Sequence, residues 1–148
     1  MDDIPIEVAR DDGLVISTDR TRIDIDAVLT MLRRSHWAWN IARATLERAI
    51  ANSVTFGVYD THHGARQIGF ARAISDLATY AYLSDVIIAE SERGRGIGGW
   101  LVQTILAHPD LQHLRRIALF SRDAPDLYRK FGFGPMPSTT TYLEIRAK

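Results

Sequence analysis

The chain contains no cysteine. That absence removes disulfides, cysteine-ligated zinc and a thiol nucleophile in one step. Neither charge sign is in excess, since 18 Lys and Arg stand against 18 Asp and Glu for a formal net charge of zero. No field is present to draw in nucleic acid or an anionic membrane, so neither is expected as a partner. No apolar stretch approaches the roughly 18 residues that would span a bilayer. The opening Met1-Asp2-Asp3-Ile4-Pro5 is acidic and lacks the apolar run of a signal peptide. Repeats, low-complexity tracts and linkers are also missing. The adjacent pair His62-His63 lacks the i, i+4 spacing and acidic partners of a metal site, so no metal is expected. What is there is a chain of 148 residues, 46% hydrophobic. It has room for one domain over 1–148 with a core of its own, and is expected to be soluble and cytoplasmic.

The densest signal lies between Asp85 and Leu101. Val86-Ile87-Ile88 is a β-branched run short enough for a central strand. Gly94, Gly96, Gly98 and Gly99 let the backbone turn tightly and leave its N–H groups uncovered. Ile97, Leu101 and Ile105 recur at i, i+4, i+8, so a helix with one apolar face starts at this loop. A helix N-terminus offers unpaired donors and about half a positive charge, which suits a phosphate. Arg93 and Arg95 add full charges, and the stretch reads as a diphosphate cradle. The segment 94–99 also satisfies the dinucleotide fingerprint G-x-G-x-x-G after a strand. That fingerprint wants an acidic residue about 20 positions on. Here the region reads His113-Leu114-Arg115-Arg116, of the opposite charge, and most of the chain precedes the loop.

Patterning predicts strands over 14–18, 54–60, 67–75, 80–89 and 117–120, and a last one over 141–145. The second of the central three bends at Gly69. Helices are predicted after a cap at Asp24, with Val28, Leu29 and Leu32 on one face, and after a cap at Asn40, with Ala42, Leu46, Ala49 and Ile50 as its stripe. Two more cover 98–107 and 124–131. The order is β-α-α-β-β-β-α-β-α-β(β), unlike a βαβ repeat.

Arg93-Gly94-Arg95-Gly96-Ile97-Gly98 resembles the R/Q-x-x-G-x-G/A acyl-CoA loop of the GNAT superfamily of N-acetyltransferases. Leu127-Tyr128-Arg129-Lys130-Phe131-Gly132-Phe133 resembles the family's helix ending in Tyr-x-x-x-Gly-Phe. The two motifs stand in the family's order, one strand apart, and the resemblance spans nearly the whole chain. It implies an α/β (mixed α+β) fold: a mixed, mostly antiparallel sheet of six or seven strands flanked by helices. That sheet is splayed between the strand before the glycine loop and the one after it. It implies acetyl-CoA in that splay, as co-substrate. Arg93, Gly94, Arg95, Gly96, Ile97, Gly98 and Gly99 would hold the diphosphate, and the backbone of Val86, Ile87 and Ile88 would hold the pantetheine arm. Tyr128 matches the family tyrosine that protonates the coenzyme thiolate. The implied reaction is direct acetyl transfer to the primary amine of a small molecule, and a homodimer fits the family habit of joining through a sheet edge or C-terminal strands. A non-catalytic acyl-CoA-binding module and a protein N-acetyltransferase are the alternatives.

The general base stays open. Many relatives carry an adjacent acidic pair on this strand; here those positions are Ser84 and Asp85. Strict alternation aims Asp85 away from the face of Ser84. Tyr82, His36, Asp76 and water are further candidates. For the acceptor, the resemblance brings His36, Trp37, Trp39, Arg72, Tyr80 and Tyr82 together. Trp and Tyr faces can grip an ammonium. Arg72 either clamps a substrate carboxylate, which suits an amino-acid-like amine, or pairs with Asp76 or Asp85.

Overall fold

Asp24 starts the first helix as expected. Its carboxylate accepts from the Ala27 N–H at 3.1 Å, and helix α1 (Ile25–Leu32) buries Val28, Leu29, Met31 and Leu32. The computed structural model describes residues 4–147. The second helix, α2 (Arg43–Ala51), begins later than the expected cap at Asn40 and has Ala42 as its N-cap, with no side-chain bond. The reason lies upstream in Ser35, whose hydroxyl donates to Leu32 O at 2.6 Å and accepts from Ala38 N at 3.0 Å. That side chain ties residues 35–41 into a connector and delays the helix.

The strands are β1 (Glu7–Ala9), β2 (Leu14–Ser17), β3 (Val54–Asp60), β4 (Arg66–Ser75), β5 (Tyr80–Ile88) and β6 (Arg116–Ala118), in one sheet in that spatial order. All neighbours are antiparallel except β5 and β6, which run parallel. Strand β1 has no forerunner in the sequence reading: it is three residues long at the sheet's outer edge. The expected last strand over 141–145 does not form. Leu143 and Ile145 are fully exposed there, 84% and 102%, with no strand beside them.

Helix α3 (Ile97–Leu106) packs Ile97, Leu101 and Ile105 on one face of the sheet, against Leu14, Ile16, Phe56, Val58, Ala73 and Leu83. Helices α1 and α2 cover the other face, where Phe70 and Ile87 meet Leu32, Leu46 and Ile50. A short helix α4 (Pro125–Arg129) follows β6. The bend expected at Gly69 is present: Val58 faces Gly69 but Tyr59 faces Gln67, so Ile68 is extra. A Cβ on Gly69 would stand 2.8 Å from Val58 Cγ2, so any side chain there would force its neighbours to shift.

Strand β5 carries the irregularity that matters most. Phe70 pairs with Ile87 and Arg72 with Ser84, so Asp85 and Val86 together oppose Ala71. Asp85 sits in the left-handed region, φ +56°, a conformation that costs a non-glycine residue about 1–2 kcal/mol. The extra residue reverses parity along the strand. Ala81 and Leu83 belong to the α3-side core, and after the bulge Val86 and Ile88 take that side while Ile87 joins the α1–α2 side.

Candidate active site

Beyond Tyr82 and Ala118 the paired strands β5 and β6 part. The divergence also explains why the strand expected over 117–120 stops pairing at Ala118. A cavity of about 710 Å3 opens in the gap. Its walls are β5 from Tyr82 to Ile88, the stretch Leu119 to Ala124, the glycine loop, Tyr128 on α4, and His36 and Trp37 on the α1–α2 connector. Past the split, no strand among the described residues pairs with the β6-facing edge of Val86, Ile87 and Ile88. Apart from Ile88 O, which Arg93 Nε reaches at 3.4 Å, their backbone groups on that edge are available to a ligand.

The loop that ends β5 supplies donors. Gly96 is the N-cap of α3 at φ +72° and has no side chain to cap the helix. The N–H groups of Gly96, Ile97, Gly98 and Gly99 meet no acceptor among the described residues. A Cβ added at Gly94 or Gly96 would touch nothing within 4 Å, so the loop's outer side is open. A diphosphate fits such an end. The two arginines divide. Arg93 lines the cavity and makes one long bond, to Ile88 O at 3.4 Å. Arg95 does not line it; its guanidinium bonds Glu92 at 2.7 Å and Asp12 at 3.0 Å. Glu92 in turn pairs with Arg66. Sequence reasoning missed Asp12 because it lies 83 positions from Arg95, whereas Glu92, three residues before Arg95, is within local reach.

Tyr128 stands where β5 and β6 diverge, its ring edge-on to Phe133 at 5.8 Å. Burial raises its pKa above the usual phenol value, so the hydroxyl keeps its proton through neutral pH. Tyr82 also lines the cavity, beside Phe120 at 6.0 Å, and burial again raises its pKa, offset in part by the Phe120 backbone N–H.

Asp85 and Ser84 turn out to share a face, against the expectation from alternation, because Asp85 is itself a residue of the bulge and is turned by its left-handed backbone. Arg72 joins them: its Nε donates to Asp85 Oδ2 at 2.6 Å and its Nη2 to Ser84 Oγ at 3.3 Å. The Trp37 indole donates to Asp85 Oδ1 at 2.9 Å. Arg72 is therefore engaged inside the protein and lines neither this cavity nor the one outside β6. Asp76 is no base either. It accepts from Ala78 N, Thr79 N and Thr79 Oγ1 at 2.6–2.9 Å, and these bonds lower its pKa.

Of the other acceptor candidates, His36 and Trp37 line the cavity, their rings edge-to-face at 5.1 Å. His36 Nε2 lies 3.4 Å from Asp123 Oδ2, so the connector and the β6–α4 loop meet across the mouth. Trp39 points elsewhere and is 65% exposed. Tyr80 faces a neighbouring cavity of about 1200 Å3 outside β6. No group of three or more His, Asp or Glu side chains suited to a metal occurs among the described residues. His63 Nδ1 pairs with Asp60 instead.

Residues 51–135 match the family model described as the acetyltransferase (GNAT) domain. The chain belongs to the GNAT family. This GNAT chain is 31% identical, over 134 aligned residues, to a Gibberella zeae protein assigned to the acetyltransferases, covering 78% of this chain and 76% of that protein. A GNAT-family protein of Xanthomonas campestris pv. campestris superposes with a TM-score of 0.81 at 40% identity, over 89% of this chain and 93% of the other. A predicted acetyltransferase of Clostridium acetobutylicum, solved with acetyl-CoA, shares the fold with a TM-score of 0.62 at 16% identity, over 90% and 94% of the two chains. The matched span holds the bulge, the glycine loop and Tyr128 of this GNAT acetyltransferase; His36 and Trp37 lie before it. No helix among its described residues is long and apolar enough to cross a membrane.

Proposed function

We propose that the chain transfers the acetyl group of acetyl-CoA to the primary amine of a small molecule, by direct attack with both substrates bound. The observation that carries this reading is one cavity holding an open strand edge, a glycine-rich helix end, a half-buried tyrosine and a histidine. Acetyl-CoA supplies the acetyl group as an activated thioester. Arg93 and the free N–H groups from Gly96 to Gly99 hold its diphosphate, and the open edge of Val86, Ile87 and Ile88 aligns its pantetheine arm. Backbone donors suit a developing oxyanion because they are fixed in direction before the reaction begins. His36 takes the proton that the amine nitrogen gives up as its bond to the acetyl carbon forms. Tyr128 supplies a proton to sulfur as the carbon–sulfur bond breaks, and solvent returns the balance between the two side chains. Arg72 is occupied by Asp85, so it does not favour a carboxylate-bearing acceptor.

Thermal unfolding with acetyl-CoA, CoA or NADH tests the first half. Ligand at roughly 100 times its Kd adds about 2.7 kcal/mol, a rise of several degrees. Both CoA forms are expected to shift Tm and NADH to leave it unchanged; a shift with NADH alone overturns the reading. Thiol release in the presence of amines tests the second half. Tyr128→Phe is expected to lower kcat by about 100-fold, the scale of one acid catalyst, without weakening acetyl-CoA binding.

The same reading includes a homodimer. Strand β6 ends the sheet, and the cavity outside it is lined from both faces, by Tyr82 and Tyr142 on one and Leu106 and Phe133 on the other. A slot of that shape suits a strand. The segment Thr141-Tyr142-Leu143-Glu144-Ile145 of a second copy has the alternation to fill it.

A further inference from the structure

Asp85 is the carboxylate closest in sequence to the open edge of β5, and its bonds decide what it can do. Both oxygens accept. Oδ2 takes Arg72 Nε at 2.6 Å, and Oδ1 takes Trp37 Nε1 at 2.9 Å. The side chain is 4% exposed. Arg72 in turn donates to Ser84 Oγ and Ser53 Oγ, each at 3.3 Å. The cluster thus ties β4, β5 and the entry to β3 to the α1–α2 connector. The bulge makes this possible: without the extra residue, Asp85 would face the α3 side of the sheet, away from Arg72.

Trp37 has one polar atom, the indole N–H, and Asp85 holds it. With that atom fixed, the ring stands as the connector's wall of the cavity, and His36 packs edge-on against it at 5.1 Å. No other hydrogen bond or ion pair involving Trp37 occurs among the described residues. We propose that Asp85 is a positioning residue for the acceptor half of the site. It holds Trp37, and through that ring His36, against the acceptor amine, and exchanges no proton in the reaction. Each oxygen already accepts from a donor the fold holds in place, Arg72 on one and Trp37 on the other, so two of its roughly four acceptor positions are taken. The wall it presents is an indole with the neighbouring arginine already neutralised, which suits the apolar body of an amine rather than a carboxylate.

The inference rests on the acetyl-transfer reading, and the test separates the two. Trp37→Phe keeps an aromatic body and removes the donor, leaving the Arg72–Asp85 pair in place. It is expected to raise KM for the acceptor about tenfold, the factor given by losing one ordinary hydrogen bond, with KM for acetyl-CoA unchanged. Asp85→Asn is expected to follow the same pattern, with the pH profile of kcat/KM keeping its acid limb. If Asp85→Asn instead lowers kcat 100-fold or more and abolishes that limb while Trp37→Phe leaves the acceptor KM unchanged, Asp85 is the base and the proposal is wrong. A readout without turnover uses a Trp39→Phe, Trp100→Phe background, in which Trp37 is the sole tryptophan and is excited selectively over the tyrosines. Asp85→Asn should move its emission to the red, as an indole released from its anchor; unchanged emission overturns the proposal even in a protein that acetylates nothing. Should Asp85→Asn fail to fold, Trp37→Phe decides alone: an unchanged acceptor KM, or unchanged acetyl-CoA-bound mobility of the connector by hydrogen exchange, overturns the proposal. Absence of thiol release with every amine, in a wild type whose Tm acetyl-CoA still raises, counts against the transfer reading and not against the anchor.

Discussion

At the scale of single residues, the two arginines of the glycine loop show how neighbours assign roles. Arg93 and Arg95 have the same charge and lie two positions apart, yet Glu92 and Asp12 engage only Arg95. Arg93→Ala is therefore expected to weaken acetyl-CoA binding by about tenfold, since one charge-assisted contact to phosphate is lost. Arg95→Ala should leave that affinity nearly unchanged and lower Tm slightly, because partly exposed ion pairs contribute only about 0–1 kcal/mol. Isothermal titration and thermal scans of both variants check the split. Tyr59 makes a second case. The residue is 3% exposed, its hydroxyl has no partner among the described residues, and Arg22 lies 4.5 Å over its face. Burial pushes its pKa up to about 12, against about 10 in an unfolded chain. The folded state thus favours the protonated form. The stability tied to it is fully present below about pH 10 and is lost as pH rises towards the folded value. Denaturant titrations from pH 9 to 12 should show that loss in the wild type and a shallower one in Tyr59→Phe.

At the scale of elements, both bulges serve the site. The extra Ile68 in β4 lets Gly69 pass under Val58 and Ile88, and the extra residue in β5 turns Asp85 towards Arg72. Gly69→Ala would place a methyl 2.8 Å from Val58 Cγ2 and 2.9 Å from Ile88 Cδ1. Overpacking of this kind costs about 1–3 kcal/mol. Tm is expected to fall by several degrees, and because Ile88 borders the open strand edge, acetyl-CoA affinity should fall with it. A Gly69→Ala protein with wild-type Tm and affinity would show that the neighbouring side chains simply move aside. Helix α3 contributes through its beginning: with glycine as its cap, the first-turn N–H groups stay free for an anion.

At the scale of the whole molecule, the sheet ends on a three-residue strand, and the chain's last described segment lies exposed beside it. Sedimentation equilibrium is expected to give twice 16.7 kDa. Replacing Leu143 and Ile145 by Asp should return the monomer, because charges in the slot outside β6 would be buried without partners. A monomeric wild type would remove the dimer from the reading and leave the splayed cleft within one chain untouched.

Much of this was legible in local pattern. Asp24 as a cap, the run from Val54 to Asp60, the glycine loop opening a helix, and Tyr128 two elements later follow from periodicity, capping chemistry and motif spacing, which act over a few residues. The sequence by itself determined that a central strand would lead through a glycine loop into the start of an amphipathic helix. Tertiary structure decided the rest. Asp85 and Ser84 share a face only because of a bulge that β4 imposes, and alternation along one strand carries no sign of it. Arg72 met Asp85, Arg95 met Asp12, and Trp37 reached across 48 positions to a carboxylate. Such pairings depend on which segments the sheet brings side by side, and that register is a property of strands jointly, not of any one of them.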